Sequence, residues 1–487
     1  MMNSIDPAQW QQACQVFQQI WGYESFRPPQ GEIVRCLLAQ QDALIVMPTG
    51  GGKSICFQLP ALLQTGLTIV VSPLVALMEN QVQELRRRNQ AAALLHSELS
   101  SWERKQTLQK LEQQQLRLLY LSPETLLSPS VWERLCQPEL LINGLILDEA
   151  HCLAQWGENF RPAYYRLGTV RSSLLRHKPV GSKMAIAAFT ATADPATQET
   201  IIQVLRLQQP QIFRLNPFRP NLRLQVQTVW TPRGRRQQLL QFIQTQGKQA
   251  GLVYVRTRRD SETLVTELAA AGYRSAAYHA GLSPQERRQI EQAWLSGAMQ
   301  FVVCTNAFGM GVDKPNCRWV AHFHAPLLLS EYVQEFGRAG RDGKTATALM
   351  LASEATGLLD PADKQRWQFF QQQGRSQQRT AQQLAKTLPT EGDIATVARQ
   401  HPAGNLALAW LFSTGQLEWQ DPFHFMLRQG GRSLRQADQQ ATDQMPRYLN
   451  TRACRWRFLL ETFGFTTEAT QLQCGSCDNC RRKLHKG

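Results

Sequence analysis

The chain has 487 residues, enough for about two to four domains with cores of their own. Lys and Arg outnumber Asp and Glu by 53 to 38, and the net +15 points to a polyanionic partner, nucleic acid first. No apolar run approaches the ~18 residues of a membrane span, and the N-terminus (MMNSIDPAQWQQ) lacks a basic-then-apolar signal, so a soluble cytoplasmic protein is expected, nucleoid-associated if bacterial.

From about residue 25 to 205, short β-like runs alternate with helical stretches: Ala43–Val46, Thr68–Ser72, Leu116–Leu121, Leu145–Leu147 and Ala185–Phe189. This spacing predicts a parallel sheet covered on both faces. The first run enters Met47-Pro-Thr49-Gly50-Gly51-Gly52-Lys53-Ser54, the layout of a phosphate-binding loop. Glycines let backbone N–H groups close around phosphate oxygens, Lys53 supplies a point charge, and Ser54 can ligate Mg²⁺. The strict pattern has Gly where Met47 stands, and a glycine-rich turn with an exposed lysine is the alternative. Leu145–Leu147 ends in Asp148-Glu149-Ala-His151, two carboxylates at the strand end where doubly wound sheets bind ligands. Asp148 suits Mg²⁺, and Glu149 can orient and deprotonate water.

A proline-punctuated connector, Gln208 to Pro220, separates this lobe from a second one. Its strand runs are Gly251–Val255, Arg274–Tyr278, Gln300–Cys304, Arg318–His322 and Thr347–Leu351. After Leu351 the character changes. Residues 361–380 are Gln-rich and predict a solvated helix, followed by helices at Thr380–Leu388, Ile394–Gln400 and Asn405–Ser413 and a hairpin at Leu417–Leu427. Helices leading into a hairpin resemble a winged-helix module, and the hairpin is a candidate strand-separating wedge; a plain helical insertion is the alternative. Seven cysteines scattered through apolar contexts predict reduced core thiols. Cys454, Cys474, Cys477 and Cys480 crowd the C-terminal end, a set that suits tetrahedral Zn²⁺ and also an iron–sulfur cluster. The first is expected on a helix over Arg447–Phe463.

Further strings carry a resemblance. They are Phe26-Arg27-Pro-Pro-Gln30, Val71-Ser-Pro-Leu74, Tyr120-Leu-Ser-Pro-Glu124, Gln155-Trp156-Gly-Glu158-Asn159-Phe160-Arg161, Phe189-Thr-Ala-Thr-Ala193, Ala280-Gly-Leu282, Ala307 to Pro315, and Gln334-Glu-Phe-Gly-Arg338-Ala-Gly-Arg341-Asp-Gly. With the terminal cysteines they resemble the RecQ family of superfamily-two helicases over most of residues 20–345. The resemblance implies an α/β fold of two RecA-like doubly wound parallel-sheet lobes (1–208 and 209–355), then a mostly helical linker with the winged-helix-like module (356–444) and a zinc-binding module (445–487). It implies a short form without the family's C-terminal winged-helix and helical accessory domains.

The implied activity is ATP-dependent unwinding of duplex DNA with 3′→5′ polarity in recombination and repair, with ATP, Mg²⁺ and Zn²⁺ as cofactors. Arg27 and Gln30 would read adenine. Thr49, Gly50, Gly51, Gly52, Lys53, Ser54, Gly311, Asp313 and Gln334 would bind the nucleotide, and Ser54 and Asp148 the Mg²⁺. Lys53, Asp148, Glu149, Arg338 and Arg341 would be catalytic. Arg338 and Arg341 stand three apart, so a helix or tight turn puts both on one side, able to reach across an interlobe cleft toward the γ-phosphate; such an arginine is worth about 10³–10⁵ in rate. Trp156, Phe160 and Arg161 would hold DNA, the aromatics by stacking worth roughly 1–3 kcal/mol per base. Two departures stand out: Glu158-Asn159 replace the usual His-Asp, and an apolar Leu327-Leu-Leu329 follows His324-Ala-Pro326 and raises the expectation of an interface. The expected partners are single-stranded and tailed or branched duplex DNA, with single-strand-binding and repair proteins beyond it; the expected state is a monomer without membrane attachment. The rivals are a strand-binding or annealing scaffold whose ATPase does not unwind, and an RNA helicase.

Overall fold

The computed structural model describes residues 6–154, 161–308, 312, 314–428, 430 and 433–484, the last including backbone only at 435–440, 483 and 484. Two compact units emerge: Met1–Met47, Gly51–Leu215 and Gln373–Asp438 form one; Pro48–Gly50, Asn216–Gln372 and Gln439–Gly487 form the other.

The first unit is built on seven parallel strands: β1 (Ala43–Val46), β2 (Leu67–Val71), β3 (Ala92–Leu95), β4 (Leu118–Leu121), β5 (Ile142–Leu147), β6 (Ala185–Thr190) and β7 (Gln211–Arg214), in the order β3-β4-β2-β5-β6-β1-β7. Strands β1 to β6 are buried along their whole length, which is why they read as continuous apolar runs rather than alternating ones. Within β1, Leu44 and Val46 enter one core cluster while Ala43 and Ile45 enter another, so helices cover both faces of the sheet. The connector expected at 208–220 is partly strand: β7 pairs in parallel with β1, Ala43 opposite Gln211.

The second unit repeats the plan with β8 (Leu222–Val229), β9 (Gly251–Tyr254), β10 (Ser275–Tyr278), β11 (Phe301–Cys304), β12 (Trp319–His322) and β13 (Ala346–Ser353), all parallel, in the order β10-β11-β9-β12-β13-β8. The apolar stretch after His324 is largely turned inward, with Leu327 half-buried. Ala325 and Leu329 are 1% and 0% exposed in this unit's core, and Arg366 caps the Ala325 carbonyl at 3.2 Å. Leu329 starts the helix Leu329–Phe336 and packs it into the core, with Leu328 as its N-cap.

The region after β13 departs from the expected outline in three ways. One helix, Ala362–Ala385, replaces the two predicted over 361–388. A short strand, β14 (Glu391–Asp393), precedes the helices Ile394–Gln400 and Gly404–Ser413, and with β15 (Leu417–Trp419) and β16 (His424–Leu427) it makes an antiparallel sheet in the order β14-β16-β15. Helix, strand, two helices and two strands in that pairing is the winged-helix element order. The helix expected over Arg447–Phe463 is broken: Arg435–Asn450 ends before Cys454, which is the N-cap of a new helix, Arg455–Thr462.

The hairpin does not stand free as a wedge. Phe423 packs on Trp132 with ring centroids 5.2 Å apart, the Pro422 carbonyl accepts from Arg166 at 3.2 Å, and the Trp419 carbonyl accepts from Arg206 at 3.0 Å. Its turn is seated against the sheet-bearing part of the first unit.

Candidate nucleotide and zinc sites

β1 delivers the chain at residue 47 to the C-terminal edge of its sheet, and the helix Lys53–Leu63 starts there. Met47, where the strict motif has glycine, is fully buried in the core beside β1, so this position serves packing. Gly52 has φ +78°, a backbone that favours glycine, and an added Cβ would stand 2.4 Å from Gln30 Nε2, so that amide would have to shift. Gln30 clamps the loop, donating from Nε2 to the Gly51 carbonyl at 3.0 Å while its Oε1 accepts from Arg27 N–H at 2.9 Å. Lys53 Nζ donates to the Met47 carbonyl at 3.3 Å, inside the same loop. Beside this element lies Tyr23, 51% exposed against Phe17, an aromatic that the sequence motifs did not single out.

β5 ends at the same edge. Asp148 N–H donates to the Val71 carbonyl at 2.9 Å, holding the carboxylate pair at the strand end. Asp148 and Glu149 are 4% and 6% exposed. Burial, then the neighbouring Glu149 charge, lifts Asp148 to about 6 despite Lys53 and a 3.3 Å hydrogen bond from Gln81 Nε2. Glu149 sits at φ +52°, a left-handed conformation that a non-glycine residue keeps only when its surroundings hold it.

His151 lies against its carboxylate. Its Nδ1 lies 3.3 Å from Glu149 Oε2 and 3.1 Å from Thr190 Oγ1. Burial alone would lower its pKa; Cys152, then Glu149, oppose burial and raise it. Thr190 in turn donates to the Thr192 carbonyl at 3.0 Å. A continuous polar chain thus joins Glu149 to the Phe189–Ala193 element. His151 and Gln81 were missed as site residues; only the position of His151 two residues after Glu149 signalled it.

Of the expected DNA contacts, Trp156 and Phe160 lie outside the described residues, as do Gly311 and Asp313 and the Glu158-Asn159 departure. Arg161 is described and pairs with Glu124 at 3.4 Å, an exposed pair of little energetic weight.

In the second unit, Gln334 and Glu335 occupy the last turn of Leu329–Phe336, and Arg338 and Arg341 follow it. Gly340 adopts φ +59°, and an added Cβ would meet Asn221 Nδ2 at 2.6 Å. The turn is braced from the connector: Arg219 donates to the Gly337 carbonyl at 3.0 Å and also to Gly340, whose carbonyl takes Asn221 Nδ2 at 2.8 Å. Arg338 is 6% exposed and engages the Tyr254 hydroxyl. Arg219, Asn221 and Tyr254 carried no recognisable motif.

Glu335 anchors the helix below this turn. It accepts from Arg256 Nη1 and Nη2 at 3.0 and 2.8 Å and lies 2.8 Å from His322 Nε2. Burial would raise its carboxyl, but Arg256, then His322, outweigh burial and hold it down at about 2. A depressed carboxyl stabilises the fold above its ordinary pKa of 4.5, and that contribution is lost as pH falls from 4.5 toward 2. Glu335→Gln should therefore cost about 3–5 kcal/mol at neutral pH by stranding Arg256, with a smaller deficit in acid. Urea titrations of both proteins at pH 7 and pH 4 measure this; a cost below about 1 kcal/mol at pH 7 would count against the anchor.

The four terminal cysteines converge, with all Sγ atoms within 4.8 Å of one another. The N–H groups of Cys474, Cys477 and Arg455 point at the sulfurs of Cys454, Cys474 and Cys477 at 3.4, 3.3 and 3.5 Å, a setting for thiolates. Four sulfurs at this spacing fit a closed tetrahedral Zn²⁺ site. Arg455 locks the knuckle by pairing with Asp478 at 3.0 Å, and Trp456 Nε1 donates to the Leu222 carbonyl of β8 at 3.3 Å, so the cluster belongs to the second unit's core.

Comparison with known proteins agrees with this geometry. The DEAD/DEAH box helicase family matches residues 27–201, the helicase conserved C-terminal domain 234–343, and the RecQ zinc-binding family 421–481. The ATP-dependent DNA helicase RecQ of Synechocystis is 51% identical over 96% of this chain and 97% of its own. The probable ATP-dependent DNA helicase RecS of Bacillus subtilis is 40% identical over 69% of this chain and 66% of its own. The RecQ of Pasteurella multocida is 39% identical over 72% of this chain, which spans 53% of that longer protein. Among solved structures, DUF1998 helicase MrfA bound to DNA superposes with a TM-score of 0.60 at 18% identity, covering 89% of this chain and 65% of that one, a likeness of fold. No helix among the described residues is long and apolar enough to cross a membrane.

Proposed function

The chain belongs to the RecQ family of ATP-dependent DNA helicases, and on that premise we propose that it opens duplex DNA with 3′→5′ polarity in recombination and repair. The observation that carries the mechanism is the polar chain Glu149–His151–Thr190–Thr192, which ties the water-activating carboxylate to Phe189–Ala193, a string that resembles the family's element coupling nucleotide state to DNA. In this reading Arg27 and Gln30 recognise adenine, and Thr49 to Ser54 wrap the phosphates with Lys53 as the charge. Burial and the neighbouring Glu149 make an ionised Asp148 costly, a cost that a hard divalent cation would relieve, so Asp148, with Ser54, would hold Mg²⁺. That ion would neutralise charge on the phosphates. Glu149 takes the proton of the attacking water, and Arg338 and Arg341, with Gln334, Gly311 and Asp313, complete the nucleotide's surroundings.

DNA binding is assigned to Trp156, Phe160 and Arg161, and the protein acts as a monomer on single-stranded and tailed or branched duplex DNA. The domain limits that follow are 1–208, 209–355, 356–444 and 445–487. ATPase measurements with equal concentrations of single-stranded DNA and RNA test the reading. DNA should stimulate turnover at least about tenfold more than RNA, and only with Mg²⁺ present. Equal stimulation by RNA would overturn the DNA assignment.

A further inference from the structure

The helix Val75–Arg87 follows β2 and buries Met78, Val82 and Leu85 in one of the first unit's cores. Helical spacing puts residue 81 on the same face, one turn from Met78 and one from Leu85. An apolar side chain is expected at such a position, and the chain has Gln81.

The amide of Gln81 is turned to the carboxylate pair. Its Nε2 donates to Asp148 Oδ2 at 3.3 Å, while Asp148 Oδ1 takes the Glu149 N–H at 3.1 Å. One neutral donor on each oxygen fixes the plane of the Asp148 carboxylate and leaves lone pairs for a cation. An ionised carboxylate only accepts, so the amide must present its N–H groups to Asp148 and turn its carbonyl oxygen elsewhere. That Oε1 is buried with no hydrogen-bond partner among the described residues. Ser72 Oγ is in the same condition, on a residue 1% exposed that follows Val71, itself opposite Leu147 in the β2–β5 register. Two buried polar atoms without a partner at one strand end point to water or an ion that completes them.

We propose that Gln81 is a positioning residue for Mg²⁺ in the nucleotide site, aiming the Asp148 carboxylate through Nε2 and offering Oε1 to a water that the ion carries. It rests on the reading above in which Asp148 holds Mg²⁺, and extends that site to a residue of another element. Mg²⁺ bound through one or two carboxylates keeps several of its waters, so acceptors around it count alongside its direct ligands. Glutamine serves both ends at once. A glutamate at 81 would set a like charge against Asp148, and a leucine would neither donate nor accept.

The test uses the full chain, a fluorescent non-hydrolysable ATP analogue and a Mg²⁺ titration, so that binding is read without turnover. Gln81→Leu removes both polar ends and leaves a side chain suited to the helix's apolar face. It should raise the Mg²⁺ concentration for half-maximal analogue binding about tenfold, and leave affinity at saturating Mg²⁺ within about twofold. In Mg²⁺-free buffer it should melt no more than about 2 °C below wild type. Asp148→Asn should shift the same half-point at least as far, and the double variant should fall short of the product of the two single shifts. An unchanged half-point in Gln81→Leu would overturn the proposal, and so would a double variant that shows the full product. A lower melting temperature with analogue binding weakened equally at every Mg²⁺ concentration would make Gln81 a packing residue instead. Asp148→Asn with a wild-type Mg²⁺ requirement would remove the ion from Asp148, an outcome that sinks the underlying reading and is distinct from failure of Gln81 alone.

Discussion

Glu149→Gln is expected to lower ATP turnover by about 10²–10⁴-fold while leaving affinity for a DNA strand within about twofold. Glutamine has nearly the same shape, so it can keep the left-handed backbone at φ +52° and the contact with His151, but it cannot accept the proton of water. The loss is therefore chemical rather than structural. Lys53→Ala should behave alike through a different route, because it removes the charge that the phosphate loop carries at the head of Lys53–Leu63. Steady-state ATPase and anisotropy on the same preparations decide the matter. Turnover within tenfold of wild type would remove Glu149 from its assigned role; lost strand binding would mean that the substitution had damaged the lobe.

The second large effect concerns the cysteine cluster, the chain's zinc site. Cys477→Ser should release about one zinc per chain, since three thiolates leave a closed site incomplete. The stake is on the order of 10 kcal/mol of folding free energy for a structural zinc. The damage should not stay local. Cys454, Cys477 and Cys480 share a core with Tyr448, Trp456 and Phe336, and Trp456 meets Phe336 with ring centroids 5.8 Å apart. Phe336 is two residues from Arg338, so ATPase should fall along with zinc content and thermal stability. Full zinc content by chelator titration, or a variant that melts like wild type, would contradict this coupling.

The residues with a repeating physical signature were legible in advance. Strands buried on both faces are runs of apolar residues, and the chain announces most of them; the glycine-rich loop, the Asp148-Glu149 pair and the cysteine knuckle are compact strings whose spacing is their chemistry. Less visible were elements whose identity depends on a distant neighbour. β7 reads exposed and polar, Gln211-Ile-Phe-Arg214, and becomes a strand only because β1 offers it an edge. Gln81, Arg219, Asn221 and Arg256 work through partners tens to more than a hundred residues away. The apolar Leu327–Leu329 run and the hairpin at Leu417–Leu427 were hard to read for one reason. Sequence shows that a segment is apolar or turn-forming, but not whether the surface it needs already exists in the same chain.

The nucleotide site as the engine of strand separation is tested most directly by strand displacement. A duplex carrying a 3′ single-stranded tail is offered to the full chain with Mg²⁺ and either ATP or a non-hydrolysable analogue, with a 5′-tailed duplex alongside. Opening of the 3′-tailed substrate with ATP alone, and little opening of the 5′-tailed one, is the predicted result. ATP hydrolysis stimulated by DNA without displacement of either strand, or equal displacement with the analogue, would contradict it.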